Sequence, residues 1–379
     1  MVDFIKHIWI DHRALDYPLT KDILEKSPEI PRETIRDEET MRRFQKLTLT
    51  RGKKILHLTL QKGEMVKPCP GTLPPYLCCQ YTVINQTTHC PMDCTYCILQ
   101  EYLDTPVISV YVNLPDIFGQ IDMFLKNQPK RFFRIGTGEL TDSLALDHLT
   151  ELSKHFIGYI SNQKNALLEL KTKTGNIANL IGLPHRNTVI SWSLNPQPII
   201  DREEFLSAPL NERLKAARKC MKEGYLLGFH FDPILYVSDW EHLYRDLIDR
   251  LFAHVDGSRI VWISLGSLRY PPSLMEKIQK RFPKNRIIYE EMIKGLDGKM
   301  RYPKPMRIEM YGKIVRWLKQ KHPDLFIYFC MESPDVWDKV MGTYPESNEE
   351  LDFWFAQSLR QRFLELNSDE PERASYCKS

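Results

Sequence analysis

A chain of 379 residues, 42% hydrophobic and 27% charged, has an ordinary globular balance, long enough for one large α/β domain with additions or for two domains. Its net charge of +3 leaves any nucleic-acid contact to local patches, no apolar run approaches a membrane span, and Met1-Val2-Asp3-Phe4-Ile5-Lys6-His7 lacks the apolar core of a signal peptide. The nine cysteines are odd in number and clustered, which argues against a disulfide scaffold and for a reducing, cytoplasmic setting.

Residues 1–79 read as an N-terminal extension. Ile8-Trp9-Ile10 suits a strand, and Pro18 opens a short helix through Leu24. Glu38 to Lys46 reads as an exposed charged helix. The surrounding Arg42, Arg43, Lys46, Arg51, Lys53 and Lys54 form either a solvated face or a phosphate-backbone contact.

From residue 80 to about 295, compact apolar runs alternate with amphipathic helical patterns. The strand candidates are 81–84, 131–135, 166–170, 188–194, 226–231 and 259–265. Runs of this kind fit a parallel sheet covered on both faces. A helix is expected from Pro209 to Gly224, and another behind a capping box at Ser238-Asp239-Trp240-Glu241. Six strands alternating with helices predict a parallel (β/α) barrel, closed or partial, whose functional residues gather at the C-terminal strand ends.

The residues at those ends are chemical ones. After the first strand come Cys90, Cys94 and Cys97, a C-x3-C-x2-C loop that aims three thiolates at one centre and leaves a metal position open. A zinc site completed by His89, Cys78 or Cys79 is the competing reading, as are unrelated buried thiols. After the second strand comes Gly136-Thr137-Gly138-Glu139, a turn that lets backbone approach a ligand and offers a carboxylate to an ammonium group, or a plain strand–helix turn. Lys171 and Lys173 follow the third strand, Ser193 and Asn195 the fourth, His230 and Asp232 the fifth. For His230 a packed, hydrogen-bonded role competes with a catalytic one.

Residues 296–379 read as a C-terminal hairpin and helical region, basic and then acidic. Gly295 to Lys304 looks like a hairpin tip leading into a helix from Lys304 to Lys321. Lys299, Arg301, Lys304, Arg307, Lys313, Arg316, Lys319 and Lys321 stand there against the lone Glu309, interleaved with Tyr302, Tyr311 and Trp317. Cations with aromatics suit a phosphate backbone and an unstacked base; an amphipathic helix packing Ile314, Val315 and Leu318 inward is the alternative. The acidic end, Ser368-Asp369-Glu370-Pro371-Glu372, is expected to be mobile.

The cysteine loop with Tyr96 before its last ligand resembles the signature of radical S-adenosylmethionine enzymes. The words Leu15-Asp16-Tyr17-Pro18-Leu19-Thr20, Lys67-Pro68-Cys69-Pro70-Gly71-Thr72, Tyr76-Leu77-Cys78-Cys79 and Cys90 to Gln100 narrow the likeness to the spore photoproduct lyase family, from near residue 8 to about 320. The resemblance implies a partial (β/α)6 barrel and a 4Fe-4S cluster on Cys90, Cys94 and Cys97. It implies S-adenosylmethionine held by Gly136, Gly138, Glu139, Lys173, Ser193 and Asn195, with Lys171 competing for the role of Lys173. It also implies a 5′-deoxyadenosyl radical that reverses a thymine cross-link in ultraviolet-damaged DNA. A reductant such as flavodoxin or ferredoxin, a monomer, and a DNA-inserting hairpin carrying Arg301 and Tyr302 belong to the same expectation.

Two residues depart from the family. Its best-known members carry, at the glycine turn, a cysteine that returns the hydrogen, and Gly136 to Leu140 contains none. They also carry a tyrosine after the third ligand, where Ile98 stands, although Tyr96 remains. Cys78 or Cys79 is the expected replacement thiol. A radical enzyme of this family acting on another lesion or substrate, and a zinc-bearing nucleic-acid-binding module, are the alternatives.

Overall fold

The apolar runs become strands because both of their faces are covered. The computed structural model describes residues 4–71, 73–366 and 369–377; Met1, Val2, Asp3, Thr72 and Ser368 of the stretches quoted above lie outside the described residues. In chain order the main strands are β1 (His7–Asp11), β2 (Arg32–Ile35), β3 (Ile55–Thr59), β4 (Val66–Pro68), β5 (Thr82–Ile84) and β6 (Ile108–Tyr111). They continue with β7 (Phe133–Gly136), β8 (Ala166–Thr172), β9 (Thr188–Ser193), β10 (Leu226–Ile234), β11 (Ile260–Ser267) and β12 (Ile327–Phe329).

One sheet runs β12-β11-β10-β9-β8-β7-β5-β4. All its pairings are parallel except β4 with β5, and β12 and β4 do not pair with each other, so it is a partial barrel. The six expected strands are its six consecutive inner strands. A seventh parallel strand, β12, lies outside the expected six. It comes from the C-terminal stretch, so that stretch contributes to the barrel sheet.

Three strands of the N-terminal extension build a second sheet together with two from beyond residue 80, in the order β2-β1-β3-β6 with the short strand Thr87–Thr88 at the edge. Ile8, Ile10, Leu56, Leu58 and Val110 join the barrel core, while Trp9, Ile35, Phe44, Ile55 and Val107 form a smaller core on the other face. Such two-sided burial ties the extension to the barrel.

Two helices show what local signals decide. Leu210–Lys222 starts behind Pro209 and ends before Gly224, whose φ of +94° suits a residue without a Cβ. Trp240–His254 forms as expected, but the capping box does not. Asp239 sits in the left-handed region with no side-chain cap; Trp240 N–H bonds to Val237 O and Leu243 N–H to Asp239 O, so the entering turn supplies the acceptors.

Asp369, Glu370 and Glu372 of the acidic end are exposed, and the packed residue of the tail comes after them. Tyr376 is buried and its hydroxyl accepts from Phe132 N at 2.9 Å, while Lys130 pairs with Glu372 at 3.1 Å. Among the described residues no helix is long and apolar enough to cross a membrane.

Candidate active site

The loop that follows β5 is held in shape before any ligand arrives. Lys53 Nζ donates to Met92 O at 2.5 Å and to Asp93 at 3.0 Å, and Arg281 Nη2 donates to both Asp93 carboxylate oxygens at 2.7 and 3.0 Å. Asp93–Cys94 pairs antiparallel with Glu204–Phe205, and Thr95 bonds to Glu203 through both its N–H and its hydroxyl. Lys53, expected in a solvated or phosphate-facing basic run, is instead a buried clamp on this loop.

Cys90, Cys94 and Cys97 line one cavity of about 320 Å³. Burial pushes the Cys94 thiol up to about 12 and Cys90 well above its usual range, so without a cation the two stay protonated. Among the described residues no three His, Cys, Asp or Glu side chains are arranged to hold a single ion. His89 Nε2 faces Thr105 O, and Cys78 and Cys79 line a different cavity, so the tetrahedral zinc reading finds no fourth ligand here. A cluster makes another demand, one thiolate per iron, spread around a common space, and iron would supply the positive charge the buried sulfurs lack. The donor set fits a 4Fe-4S group.

The glycine turn faces this cavity through Gly138 and Glu139. Glu139 Oε2 is buried without a hydrogen-bond partner, and burial raises its pKa, which leaves an acceptor waiting for a cation. Gly136 does not touch the cavity. A Cβ there would collide with Tyr81 Oη and stand 2.7 Å from Glu169 O, so its glycine is a packing requirement. We expect Gly136→Ala to cost about 1–3 kcal/mol of stability; a denaturant midpoint equal to wild type would contradict this.

Lys173 and Ser193 line the cavity; Asn195 does not. Lys173, Asn195 and Tyr96 meet at Glu204, which sequence reasoning missed. Lys173 Nζ lies 2.9 Å from Glu204 Oε1, Asn195 Nδ2 donates to the same oxygen at 2.9 Å, and the Tyr96 hydroxyl donates to it as well. Arg213, fully buried, donates to Glu204 Oε2 at 2.6 Å and to Ser193 O at 2.8 Å. Tyr244 donates to Asn195 Oδ1 at 2.8 Å, so both ends of that amide are occupied. Asn195 is therefore held between Glu204 and Tyr244.

A second cavity of about 290 Å³ shares Ile98, Gly138, Glu139, Lys171, Arg269 and Met331 with the first. Cys78 and Cys79 stand on its wall, joined by Cys69 and Cys330, which sequence reasoning did not bring together. His230 also lines it, but its Nε2 is 2.7 Å from buried Glu169 Oε1 and burial holds its pKa below the usual value. The packed, hydrogen-bonded reading of His230 fits this best. Asp232 is salt-bridged to Arg269 at 3.0 Å.

A family model for spore photoproduct lyase matches residues 4–326. The chain belongs to that family. It is 29% identical over 301 residues to the spore photoproduct lyase of Bacillus subtilis (strain 168), covering 75% of this chain and 84% of the relative. It is 23% identical over 295 residues to that of Clostridium acetobutylicum, covering 76% and 85%. A solved mutant spore photoproduct lyase with bound AdoMet and dinucleoside spore photoproduct superposes with a TM-score of 0.76 at 27% identity, over 86% of this chain and 98% of the other. The partial barrel and the radical S-adenosylmethionine family read from the cysteine loop are both borne out.

The C-terminal hairpin exists: Ile293–Lys294 pairs with Met300–Arg301, and Arg269–Tyr270 adds a third strand. The two residues expected to contact DNA are nevertheless interior. Arg301 is 1% exposed, salt-bridged to Asp297 at 2.6 Å, bonded to Met331 O and stacked over Tyr76; Tyr302 is 0% exposed and accepts from Tyr236 N at 3.1 Å. A guanidinium whose donors are already met by a carboxylate and a carbonyl has little to offer a duplex. The hairpin presents Leu296 instead, 79% exposed at the tip. The helix Lys304–Lys321 likewise turns Arg307 and Tyr311 inward, Arg307 onto Glu332 at 2.9 Å, and pairs Lys313 and Lys321 with Glu241 and Asp249. The amphipathic-helix reading is the one that fits.

Proposed function

We propose that this protein is a DNA-repair lyase that uses a 4Fe-4S cluster and S-adenosylmethionine to reverse a thymine cross-link made by ultraviolet light. The observation that carries the reading is the juxtaposition of three thiols lining one cavity with a second cavity that shares part of its wall. When bound, the cluster and S-adenosylmethionine supply hydrogen-abstracting radical chemistry. Cys90, Cys94 and Cys97 hold the iron, the unpaired Glu139 oxygen takes the methionine ammonium, and Lys173 and Ser193 face its carboxylate and ribose. Lys173 is kept in place by Glu204, and the Tyr96 hydroxyl is fixed to the same carboxylate.

The second cavity receives the lesion, which must leave the base stack at a cost of a few kcal/mol, least for damaged bases. The DNA-facing element is the hairpin tip at Leu296, an apolar side chain of the kind that wedges between base steps. The partners are DNA carrying the photolesion and a low-potential reductant such as flavodoxin or ferredoxin.

One observation favours a related reaction on another lesion: the turn from Gly136 to Leu140 carries no thiol, and Ile98, on the shared wall of the two cavities, stands where the family's best-known members have a phenol. A single experiment separates the readings. Anaerobically reconstituted protein, reduced in the presence of S-adenosylmethionine and defined dinucleotide photolesions, is expected to release methionine and restored thymine from the spore photoproduct. Methionine release with that lesion untouched and another consumed would favour the second reading.

A further inference from the structure

Removing a hydrogen atom from a cross-linked base and breaking the link leaves a carbon radical on one of the separating bases. That carbon must receive a hydrogen atom, and a thiol is the best donor among ordinary side chains, because S–H is weaker than the C–H bond formed. Cys69, Cys78, Cys79 and Cys330 all line the second cavity.

The four are not equivalent. Cys78 and Cys79 are 6% and 8% exposed, and their thiols are hydrogen-bonded to one another, Cys78 also to Cys69. The Cys78 sulfur packs tightly under Gly71, 2.7 Å from where a Cβ would sit. Cys330 is half-buried and follows the C-terminal end of β12, the end of the barrel at which chemistry gathers. It lines the second cavity, adjoins Met331 in sequence and accepts from Arg269, and both of those residues line the two cavities, which places this thiol next to their shared wall.

Its sulfur is also positioned. Arg269 grips Asp232 with two hydrogen bonds of 3.1 and 3.0 Å, donates its Nε–H to Met331 Sδ, and donates from Nη2 to Cys330 Sγ at 3.4 Å. A Cβ on Gly266 would fall 2.7 Å from the Asp232 carboxylate and 2.8 Å from the guanidinium, so the backbone is cut back to admit this pair. Accepting from Arg269 engages a sulfur lone pair and leaves the S–H free to point elsewhere. Burial pushes the thiol up to about 12, which keeps that hydrogen on sulfur at neutral pH.

We propose that Cys330 is the hydrogen donor of the repair reaction and that Arg269 is its positioning residue. The inference rests on the lyase reading above and adds a residue to it. In the step, the Cys330 S–H bond breaks homolytically, the C–H bond forms on the departing base, and the unpaired electron passes to sulfur. One electron from the low-potential reductant that the cluster already requires, with one proton from water, then restores the thiol.

The test uses solvent deuterium, because thiol hydrogens exchange with water and carbon-bound hydrogens do not. Wild-type holoenzyme repairing the lesion in deuterated buffer is expected to place one deuterium in each released thymine pair. Cys330→Ser keeps the size and polarity of the side chain but offers a strong O–H, so it should lose the label while retaining the wild-type melting temperature and release of methionine. Rescue by serine would mean a packing role only and would overturn the assignment. So would loss of the label in Cys78→Ser or Cys79→Ser with Cys330→Ser unaffected. A wild-type protein that releases methionine but leaves the lesion intact fails at the earlier step and removes the lyase reading, and the donor with it.

Discussion

Cys94→Ala is expected to abolish cluster assembly and to lower reductive release of methionine on the order of a thousandfold or more, since losing even a supporting neighbour of a metal ligand commonly costs 10–100-fold. The loop should survive the change. Its clamps run through Lys53 to Asp93, Arg281 to Asp93 and Thr95 to Glu203, none of which uses the cysteine sulfur. Iron and sulfide content after anaerobic reconstitution, followed by methionine release under strong reductant, checks both statements. A variant that retained full iron and full release would show that Cys94 is not a ligand, and the functional reading would fall with it.

The second large effect is expected at Glu204. This carboxylate is wholly buried and faces Lys173 and Arg213, with Asn195 and Tyr96 donating to it. Glu204→Gln keeps an acceptor for Tyr96 but leaves Arg213, 0% exposed, without its counter-charge. Breaking a buried pair from one side costs about 3–5 kcal/mol, because the remaining charge stays desolvated and unpaired. Chemical denaturation near neutral pH reads this directly; a variant within 1 kcal/mol of wild type, by the same measure, would contradict it.

The pH dependence has a definite sign. Burial works against the Glu204 carboxylate, but Lys173, Arg213 and the hydrogen bonds outweigh it and hold its pKa well below the ordinary 4.5. A group with a lowered folded pKa contributes its stability above the unfolded value and loses it as pH falls toward the folded one. The gap between wild type and Glu204→Gln should therefore be full at neutral pH and narrow steadily below about pH 4.5.

Glu204 also shows why half of the site was hidden. Its partners come from positions 96, 173, 195 and 213, on the cluster loop, after two different strands and on a helix. Nothing in the Glu203-Glu204 dipeptide distinguishes it from a solvated acidic pair, and only the pairing of Glu204–Phe205 with Asp93–Cys94 brings it inside. Arg301 and Tyr302 failed in the opposite direction. Their neighbourhood is basic and aromatic, as a DNA contact would be, yet Asp297, Met331 O and Tyr236 N take them into the interior. Cys330 belongs to the same class: it is more than 250 residues from Cys69, Cys78 and Cys79 in sequence, and a shared cavity joins them.

By itself the sequence determined the six inner barrel strands, the C-x3-C-x2-C loop and the family, since each rests on spacings of a few residues or on apolar runs that must be covered. The tertiary structure decided which polar side chains meet. It assembled the Glu204 network, freed the Glu139 oxygen, buried the hairpin's arginine and tyrosine, and gathered four thiols on one wall. The physical reason is range. Backbone pattern is local, whereas desolvation and charge pairing depend on what the fold carries in from elsewhere in the chain.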